Sequence, residues 1–478
     1  MSGIELLELT SRVCDALCIE DVGVLPERLR GIVEDYDLEA LNRLRDSMPD
    51  LESDWLRKVW QYHFADRKNL GQDYTPDCLG DLCAYLTDGA KSVLDLCAGS
   101  GSLTVRKHLQ DPSCRFVCWE LDNDVIPLLL ANLAVRNIDA VVIKGDALSN
   151  ARDRVWRLDP DIGGGVSRVR EVAPNHIDLD LLHCDATVSN PPYNIRWKQP
   201  DMAPMWPQYA GFDVPPESNA NLAFVLTAMN LTNRGVFLLP NSVLNTGGRE
   251  QAIMGQIIGE NWLQSAVSLP ERMFEATNIP VCLMVFDRNR RTRDIMLADA
   301  SGHCHEEERL QRGQHGSRSH TGRVYRKKVN VLALDDIERI IGAVNGSQTE
   351  GFSVKARPER IIENGMQLNA KRYLHVKHEE PKHRDYMDII ADLNKVAARR
   401  NELRLTVNES TARMLGADLL MADQTDSNLN IATIERNLKA ILGDKATLRH
   451  DDYIAYSKNK NEIRFENNSK TTISPIIR

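Results

Sequence analysis

The chain has 478 residues, 42% hydrophobic and 27% charged, which suits about two to four globular domains. It holds no run near the ~18 apolar residues of a membrane span and no basic segment leading into an apolar one at its start, which argues against a membrane or secreted protein and predicts a cytoplasmic one. With 59 basic and 68 acidic residues its formal net charge is −9, so nucleic acid would be held through local patches or through a partner.

The first segment, residues 1–68, is predicted to form an N-terminal helical domain. Leu38, Leu41 and Leu44 fall on one face of a helix. The segment's two prolines, Pro26 and Pro49, stand where helices would break.

Residues 69–378 are predicted to form an α/β domain. Short apolar runs alternate with helical stretches up to about Asp287, an order typical of a mostly parallel sheet with helices on both faces. These runs are SVLDLC, RFVCWEL, AVVIKG, ATVSN, GVFLLP and VCLMVFD. A long insert between Asp146 and Asn190 contains glycines at 163–165 but no Gly-Lys-Ser/Thr of a phosphate loop. It is predicted to be a flexible loop, with no role assigned.

A basic segment follows, at residues 288–328. Its 11 basic and 5 acidic residues form either a solvated face or a surface for a nucleic-acid backbone. His303, Cys304 and His305 lie within it, but adjacent side chains rarely converge on one metal. No metal site is expected.

The last segment, residues 379–478, is predicted to be a helical, partner-contacting region. Six apolar residues follow alternating three- and four-residue steps, with Arg400 interrupting the stripe, which suits packing within the domain or pairing with a partner's helix. They are Tyr386, Ile389, Leu393, Val396, Leu403 and Val407. The stretch YIAYSKNKNEIRFEN predicts a small hairpin.

The strongest local signal is VLDLCAGSGSLT, residues 93–104. An apolar strand leads into Asp95, and Gly99-Ser100-Gly101 would open a helix whose N–H groups can approach an electron-rich ligand closely. A dinucleotide-binding loop would need glycine where Thr104 stands. The segment favours S-adenosylmethionine, with the Asp95 carboxylate holding the amino-acid part.

Two further predicted strands end in acidic residues. Glu120, 21 positions after Gly99, is placed to accept hydrogen bonds from both ribose hydroxyls of an adenosyl group. Asp146 can accept one from an adenine amino group. Three acidic strand ends in succession, with a glycine loop after the first of them, indicate a nucleoside site.

The segment ATVSNPPYN predicts a rigid corner, because Pro191 and Pro192 can neither continue the strand nor enter a helix. The Asn190 side-chain oxygen and the Pro191 carbonyl could accept both hydrogens of an amino group conjugated to a ring, aiming its lone pair at a sulfonium methyl. Tyr193 offers an aromatic face for the base. The corner therefore predicts methyl transfer to an amino group.

Together these motifs resemble an N6-adenine DNA methyltransferase, on the strength of YTP (residues 74–76), VLDLCAGSGSLT, Glu120, GDAL and SNPPYN. The order of the segments downstream of these motifs resembles that of the methylation (modification) subunit of type I restriction–modification systems. That order is NRGVFLLPNSVLN, AVSLPERMFEATNIPVCLMVFDR, IMLADAS and QLNAKRYLHV. The resemblance covers roughly residues 1–375, and Tyr193 stands where type I subunits commonly carry Phe.

The resemblance implies that residues 69–378 form a catalytic domain with the Rossmann-like fold of class I S-adenosylmethionine-dependent methyltransferases. It implies that the target is a flipped adenine in double-stranded DNA, that Asn190, Pro191, Pro192 and Tyr193 are catalytic, and that Glu120 and Asp146 bind the ribose and adenine of the cofactor. The residues implied around the cofactor's methionine part are Gln72, Asp73, Tyr74, Thr75, Pro76, Asp77, Gly99, Ser100, Gly101 and Ser102.

Partners are implied by the same resemblance: double-stranded DNA, a separate specificity subunit, a second copy of the chain and, as an open case, a restriction subunit. Three alternatives stay open. They are a free-standing adenine-N6 DNA methyltransferase with its own C-terminal target-recognition region, a transferase acting on a protein glutamine or an RNA base, and a non-catalytic scaffold.

Overall fold

The computed structural model describes residues 6–64, 75–176, 182–275, 278–312, 324–374, 386–414, 449–450, 453–458 and 461–466. The chain divides into two compact units, Met1–Val376 and Lys377–Arg478. None of the helices described is both long enough and apolar enough to cross a membrane.

Eleven helices are described in the first unit. They are α1 (Leu6–Leu17), α2 (Leu25–Glu34), α3 (Leu38–Ser47), α4 (Trp55–His63), α5 (Asp77–Leu86), α6 (Ser102–Gln110), α7 (Ile126–Ala134), α8 (Asn221–Leu231), α9 (Gly248–Gly259), α10 (Leu334–Val344) and α11 (Pro358–Glu363). The strands of this unit are β1 (Ser92–Asp95), β2 (Arg115–Glu120), β3 (Ala140–Lys144), β4 (Arg154–Asp159), β5 (Arg168–Val172), β6 (Cys184–Ser189), β7 (Thr232–Pro240), β8 (Leu263–Ser268), β9 (Val281–Asp287), β10 (Ile295–Asp299), β11 (His305–Arg312), β12 (Val324–Val331) and β13 (Ser353–Ala356).

The N-terminal segment is helical, as its sequence predicts. Aspartates cap two of its helices: Asp37 accepts a hydrogen bond from Ala40 N at 3.0 Å at the start of α3, and Asp54 begins α4 in the same way. Leu41 and Leu44 are fully buried, but Leu38 is 45% exposed. Leu38 is the first residue of α3, where no preceding helical turn lies alongside the side chain to cover it.

Eleven strands form one sheet in the order β13-β10-β8-β9-β7-β6-β1-β2-β3-β4-β5. The five central strands, from β7 to β3, run parallel, and antiparallel strands flank them on both sides. The six apolar runs singled out in the sequence are β1, β2, β3, β6, β7 and β9, so those strand predictions are confirmed.

Helices cover both faces of this sheet. Successive strand residues enter different cores: Val93 belongs to one hydrophobic cluster, and Leu94 belongs to the other. The N-terminal helices contribute to the Val93 cluster together with α5, α6 and α7. The N-terminal helical segment and the sheet therefore share a continuous hydrophobic core.

The insert before Asn190 differs from its prediction as a loop. Strands β4 and β5 form an antiparallel hairpin that extends the sheet beyond β3, with the three glycines in the connection. Its apolar alternation is hard to see in the sequence because charged residues between the buried ones make ion pairs across the hairpin, such as Arg170 with Asp159 at 2.8 Å. Arg154 also pairs with Glu34 of α2 at 3.1 Å, so the hairpin holds the N-terminal helices.

The second unit contains the helix α12 (Tyr386–Met414) and the strands β14 (Arg449–His450), β15 (Tyr453–Lys458) and β16 (Asn461–Glu466). The antiparallel pairing of β15 with β16 confirms the predicted hairpin. All six residues of the apolar stripe on α12 are exposed, from 41% at Ile389 to 73% at Tyr386.

Candidate active site

The site lies where the strand order reverses. Strand β1 pairs with β2 on one side and with β6 on the other, so the chain leaves the ends of β1 and β6 in opposite directions. Such a switch point leaves a crevice outside the carboxyl ends of the strands, where ligands bind in open α/β sheets. The glycine loop follows β1 and the Asn190 corner follows β6, so both predicted motifs meet at this crevice.

A cavity of about 340 Å³ fills this crevice. It brings together residues predicted from four separate parts of the sequence. The predicted site residues that line it are Gly99, Glu120, Asp146, Asn190, Pro191, Pro192 and Tyr193.

The glycine loop approaches its neighbours too closely for other residues. Gly101 has φ +88°, and a Cβ there would lie 2.9 Å from Leu129 Cδ1 of α7. This residue caps the amino end of α6, so the loop turns sharply into the helix. Gly99 N donates to Glu120 Oε2 at 2.8 Å, which ties the loop to the end of β2.

Glu120 presents a carboxylate with a fixed orientation at the cavity. Its other oxygen accepts a hydrogen bond from Asp122 N at 2.8 Å. Burial raises the pKa of Glu120, although the N–H groups of Asp122 and Gly99 oppose the shift by stabilising the charged form. A carboxylate fixed beside a glycine loop and facing a cavity is the acceptor that the hydroxyls of an adenosyl ribose require, so these residues fit the expected cofactor.

At the corner after β6, Asn190 is held from two sides. Its Nδ2 donates to Thr75 Oγ1 at 3.0 Å, and its Oδ1 accepts a hydrogen bond from Tyr193 Oη at 2.5 Å. The Tyr193 ring packs edge-on against Phe274, with ring centroids 6.0 Å apart and planes at 86°. Phe274 comes from the LPERMF segment, so that segment supports the aromatic side of the site.

Asp95 does not line the cavity. It is fully buried, and Thr104 Oγ1 donates to its Oδ2 at 2.9 Å, while its Oδ1 has no partner among the described residues. Burial raises the pKa of Asp95 to about 7, partly opposed by the Thr104 hydrogen bond. The carboxyl faces the first turn of α6 because the short strand ends there, which differs from the expected contact with the cofactor's amino-acid part.

Ser100 and Ser102 also turn away from the cavity. Their hydroxyls both donate to Asp54 Oδ2, at 2.6 and 2.7 Å. Asp54 lies just before α4 in the N-terminal segment and is 2% exposed. The loop is therefore fastened from behind by a residue about 46 positions earlier in the chain.

Of the predicted segment 72–77, Gln72, Asp73 and Tyr74 lie outside the described residues. Thr75 reaches the site through its bond to Asn190, and Pro76 precedes α5 in an extended conformation. Asp77 pairs with Arg57 at 3.3 Å. Burial would raise the pKa of Asp77, but nearby cations, Arg57 foremost, outweigh it and lower that pKa.

Other residues of the cavity were not predicted. They are Leu96, Cys97, Trp119, Leu121, Asp122, Val125, Gly145, Ala147, Leu148, Ile195, Arg196, Trp197, Lys198 and Phe224. Several of them directly follow β2, β3 or the proline corner. Their closeness in sequence to the predicted residues was therefore the signal by which they could have been found. A buried polar residue, Asn132, in the apolar stretch IPLLLANLA was the signal for the Asp54 contacts, because its Nδ2 donates to Asp54 Oδ1 at 2.9 Å.

The basic segment 288–328 forms much of the β11–β12 hairpin. Its cations face glutamates of the opposite strand: Lys328 pairs with Glu306 at 2.6 Å, and Arg326 pairs with Glu308 at 3.3 Å. This pairing lowers the net positive charge that the described part of the hairpin offers to a phosphate backbone. Within the described part of the chain, no group of three or more His, Cys, Asp or Glu residues could hold a metal ion.

Comparison with known proteins identifies the family of this chain. The model of the N-6 DNA methylase family matches residues 59–382. The type I restriction enzyme MpnII methylase subunit of Mycoplasma pneumoniae is 22% identical over 406 residues, which cover 80% of this chain and 67% of that protein. The MjaVII methylase subunit of Methanocaldococcus jannaschii is 23% identical over 365 residues, which cover 70% and 56%. The chain thus spans about two thirds or less of the length of these relatives.

Among solved structures, the methyltransferase subunit of a type I restriction–modification system from Streptococcus thermophilus is similar to this chain with a TM-score of 0.54 and 22% identity. The similarity covers 70% of this chain and 64% of that one. It confirms the predicted fold class.

Proposed function

Because the chain belongs to the N-6 DNA methylase family, we propose that it transfers a methyl group from S-adenosylmethionine to the N6 amino group of a flipped adenine in double-stranded DNA, as the modification subunit of a type I restriction–modification complex. One observation carries the proposal. The glycine loop after β1 and the Asn190–Tyr193 corner after β6 line a single cavity, although about 90 residues of sequence separate them.

The cavity residues have the chemistry to hold this cofactor. When bound, S-adenosylmethionine supplies an electrophilic methyl group on its sulfonium. Glu120 would accept hydrogen bonds from the ribose hydroxyls, and Asp146 would accept from the adenine amino group. The glycine loop would lie against the methionine part, with Gly99 at the cavity wall.

Asn190 would orient the target amino group. The lone pair of the adenine N6 nitrogen is delocalised into the ring, so it is a weak nucleophile. Asn190 Oδ1 and the Pro191 carbonyl would accept both amino hydrogens, which favours a tetrahedral nitrogen with its lone pair towards the methyl group. Tyr193 would stack on the base, and Phe274 fixes the plane of the Tyr193 ring. These contacts would offset the few kcal/mol needed to flip the base.

Target recognition is proposed to belong to a partner. The chain is acidic overall, and the described basic hairpin is largely paired with its own glutamates, so neither feature favours sequence-specific reading by this chain alone. The exposed stripe of α12 is the surface we assign to a specificity subunit, with a second copy of the chain on the same complex. The complex would act on DNA in the cytoplasm.

The test separates transfer from cofactor binding. Asn190→Ala is expected to lower methylation of cognate DNA by orders of magnitude while leaving the S-adenosylmethionine Kd nearly unchanged. Glu120→Ala is expected to weaken cofactor binding by about 1–3 kcal/mol, the value of lost charged hydrogen bonds. Calorimetry and a methyl-incorporation assay measure the two effects. An active Asn190→Ala enzyme, or unchanged cofactor binding in Glu120→Ala, would contradict these roles.

A further inference from the structure

Asp54 receives more hydrogen bonds than a helix cap requires. Its Oδ1 accepts from Arg57 N and from Asn132 Nδ2, both at 2.9 Å. Its Oδ2 accepts from the hydroxyls of Ser100 and Ser102. Only the first of these bonds caps α4, so the other three join the N-terminal segment to the glycine loop and to α7.

The same network also fixes the backbone of the loop. Asn132 Nδ2 donates to the Ser100 carbonyl at 2.7 Å, and Arg136 donates through Nη1 to Asn132 Oδ1 at 2.5 Å. Arg136 Nη2 reaches back to the Ser53 carbonyl at 2.7 Å. The side chains that form this network are buried, and buried hydrogen-bond networks of this kind specify one arrangement of the groups they hold. They are Asp54, Ser100, Ser102, Asn132 and Arg136.

We propose that Asp54 is a positioning residue for cofactor binding: it holds Ser100 and Ser102 so that the loop between β1 and α6 keeps the shape that faces the cavity. The inference rests on the proposed function. The N-terminal helical segment would then shape the cofactor site through the glycine loop, without contacting the ligand.

The same turn of α4 also reaches the other half of the site. Arg57, three residues after Asp54, donates to the Thr75 carbonyl and pairs with Asp77. The Thr75 hydroxyl in turn accepts from Asn190. One helical turn therefore contacts both the cofactor loop and the residue that supports Asn190.

The experiment measures the S-adenosylmethionine Kd of the full chain by calorimetry, together with its thermal midpoint. Asp54→Ala is expected to raise the Kd about tenfold, since tenfold corresponds to about 1.4 kcal/mol, the order of one hydrogen bond to a charged group. Asp37→Ala is the matched control, because it removes an aspartate cap from the neighbouring helix α3 without touching the loop. It is expected to lower the thermal midpoint but to leave the Kd unchanged.

A second variant tests the link through the loop itself. Ser100→Ala with Ser102→Ala keeps the cap of α4 and removes only the hydroxyls, so it is expected to raise the Kd as Asp54→Ala does. Adding Asp54→Ala to this pair is expected to raise the Kd by less than the sum of the two separate effects, because both changes remove the bonds from the serine hydroxyls to Asp54. If Asp54→Ala does not fold, the serine pair carries the test alone.

The outcomes separate the two proposals. A wild-type chain that does not bind S-adenosylmethionine contradicts the proposed function. A wild-type chain that binds it, with a serine pair whose Kd is unchanged, overturns the role of Asp54. The role of Asp54 is also overturned if the effects of Asp54→Ala and of the serine pair on the Kd are fully additive in the combined variant.

Discussion

Individual side chains of this site are held in place by hydrogen bonds within the protein, without a ligand. Glu120 has each oxygen held by a backbone N–H, and Asn190 has its amide held on both ends. A side chain that is already ordered loses little rotamer entropy on binding, so more of the contact energy is available for affinity and orientation. The buried ring around Asp54 does the same for the loop backbone.

Asp95 predicts a pH dependence of stability. Its pKa in the folded chain is about 7, against an ordinary value of 3.8, because burial disfavours the carboxylate. The folded state therefore binds the proton more tightly than the unfolded state. The resulting stability is fully present below about pH 4 and is lost as pH rises through 7.

Asp95→Asn should remove this dependence. The quantity to measure is the thermal midpoint of the variant minus that of the wild type. We expect this difference to increase from pH 5 to pH 8, because only the wild type loses the contribution of Asp95 and the other groups titrate alike in both proteins. Thr104→Val, which removes the hydrogen bond to Asp95 Oδ2, should shift the wild-type transition to higher pH. A difference that stays flat across this range would contradict the buried carboxyl.

At the scale of elements, apolar runs bounded by polar turns were enough to predict strands. The run VCLMVFD, for example, becomes β9, with its first six residues buried on both sides. Its antiparallel place between β7 and β8 was not predictable, because strand direction depends on the path of the connection rather than on the run. The β4–β5 hairpin was missed because its ion pairs hide the alternation.

In the candidate site, too, some residues could be predicted from the sequence and others could not. Gly99, Glu120, Asp146 and Asn190 lie at or just after the carboxyl ends of strands, so a parallel sheet gathers them at one edge and the sequence order suffices to find them. Asp54 could not be found in this way. Its link to the loop depends on how the N-terminal helices pack on the sheet, and the only signs of that contact in the sequence are a cap signal at Asp54 and the polar Asn132 within an apolar helix.

The stripe on α12 carries a prediction of its own. Leu393→Glu with Leu403→Glu should abolish co-purification with the specificity subunit, because each places a charge in the apolar seam of a helix pair. Cofactor binding should be unchanged.

Ala398→Glu is the matched control, since Ala398 is exposed on the side of the helix opposite the stripe. It is expected to co-purify like the wild type. If the stripe variant also co-purifies, α12 is not the docking surface.

For the whole molecule, the net charge of −9 bears on how DNA is held. Purified alone, the chain is expected to bind S-adenosylmethionine but to hold DNA only in the non-specific range, about 10⁻⁴–10⁻⁶ M at physiological salt. Adding the specificity subunit should restore methylation at one sequence. Methyl incorporation into DNA and into RNA, with and without that subunit, is the measurement. Robust site-specific methylation by the chain alone would favour a free-standing enzyme instead.

The hydrogen bond from Tyr193 Oη to Asn190 Oδ1 has a consequence for base discrimination. A flipped adenine offers an amino group at its sixth position and can replace the phenol as donor, so the exchange leaves no acceptor unsatisfied. A flipped guanine carries an oxygen there and cannot make the exchange. The Tyr193 hydroxyl would then stay on Asn190 Oδ1, and the guanine oxygen could donate neither to that oxygen nor to the Pro191 carbonyl. Under the proposed function, the Tyr193 hydroxyl would therefore favour adenine over guanine at this site.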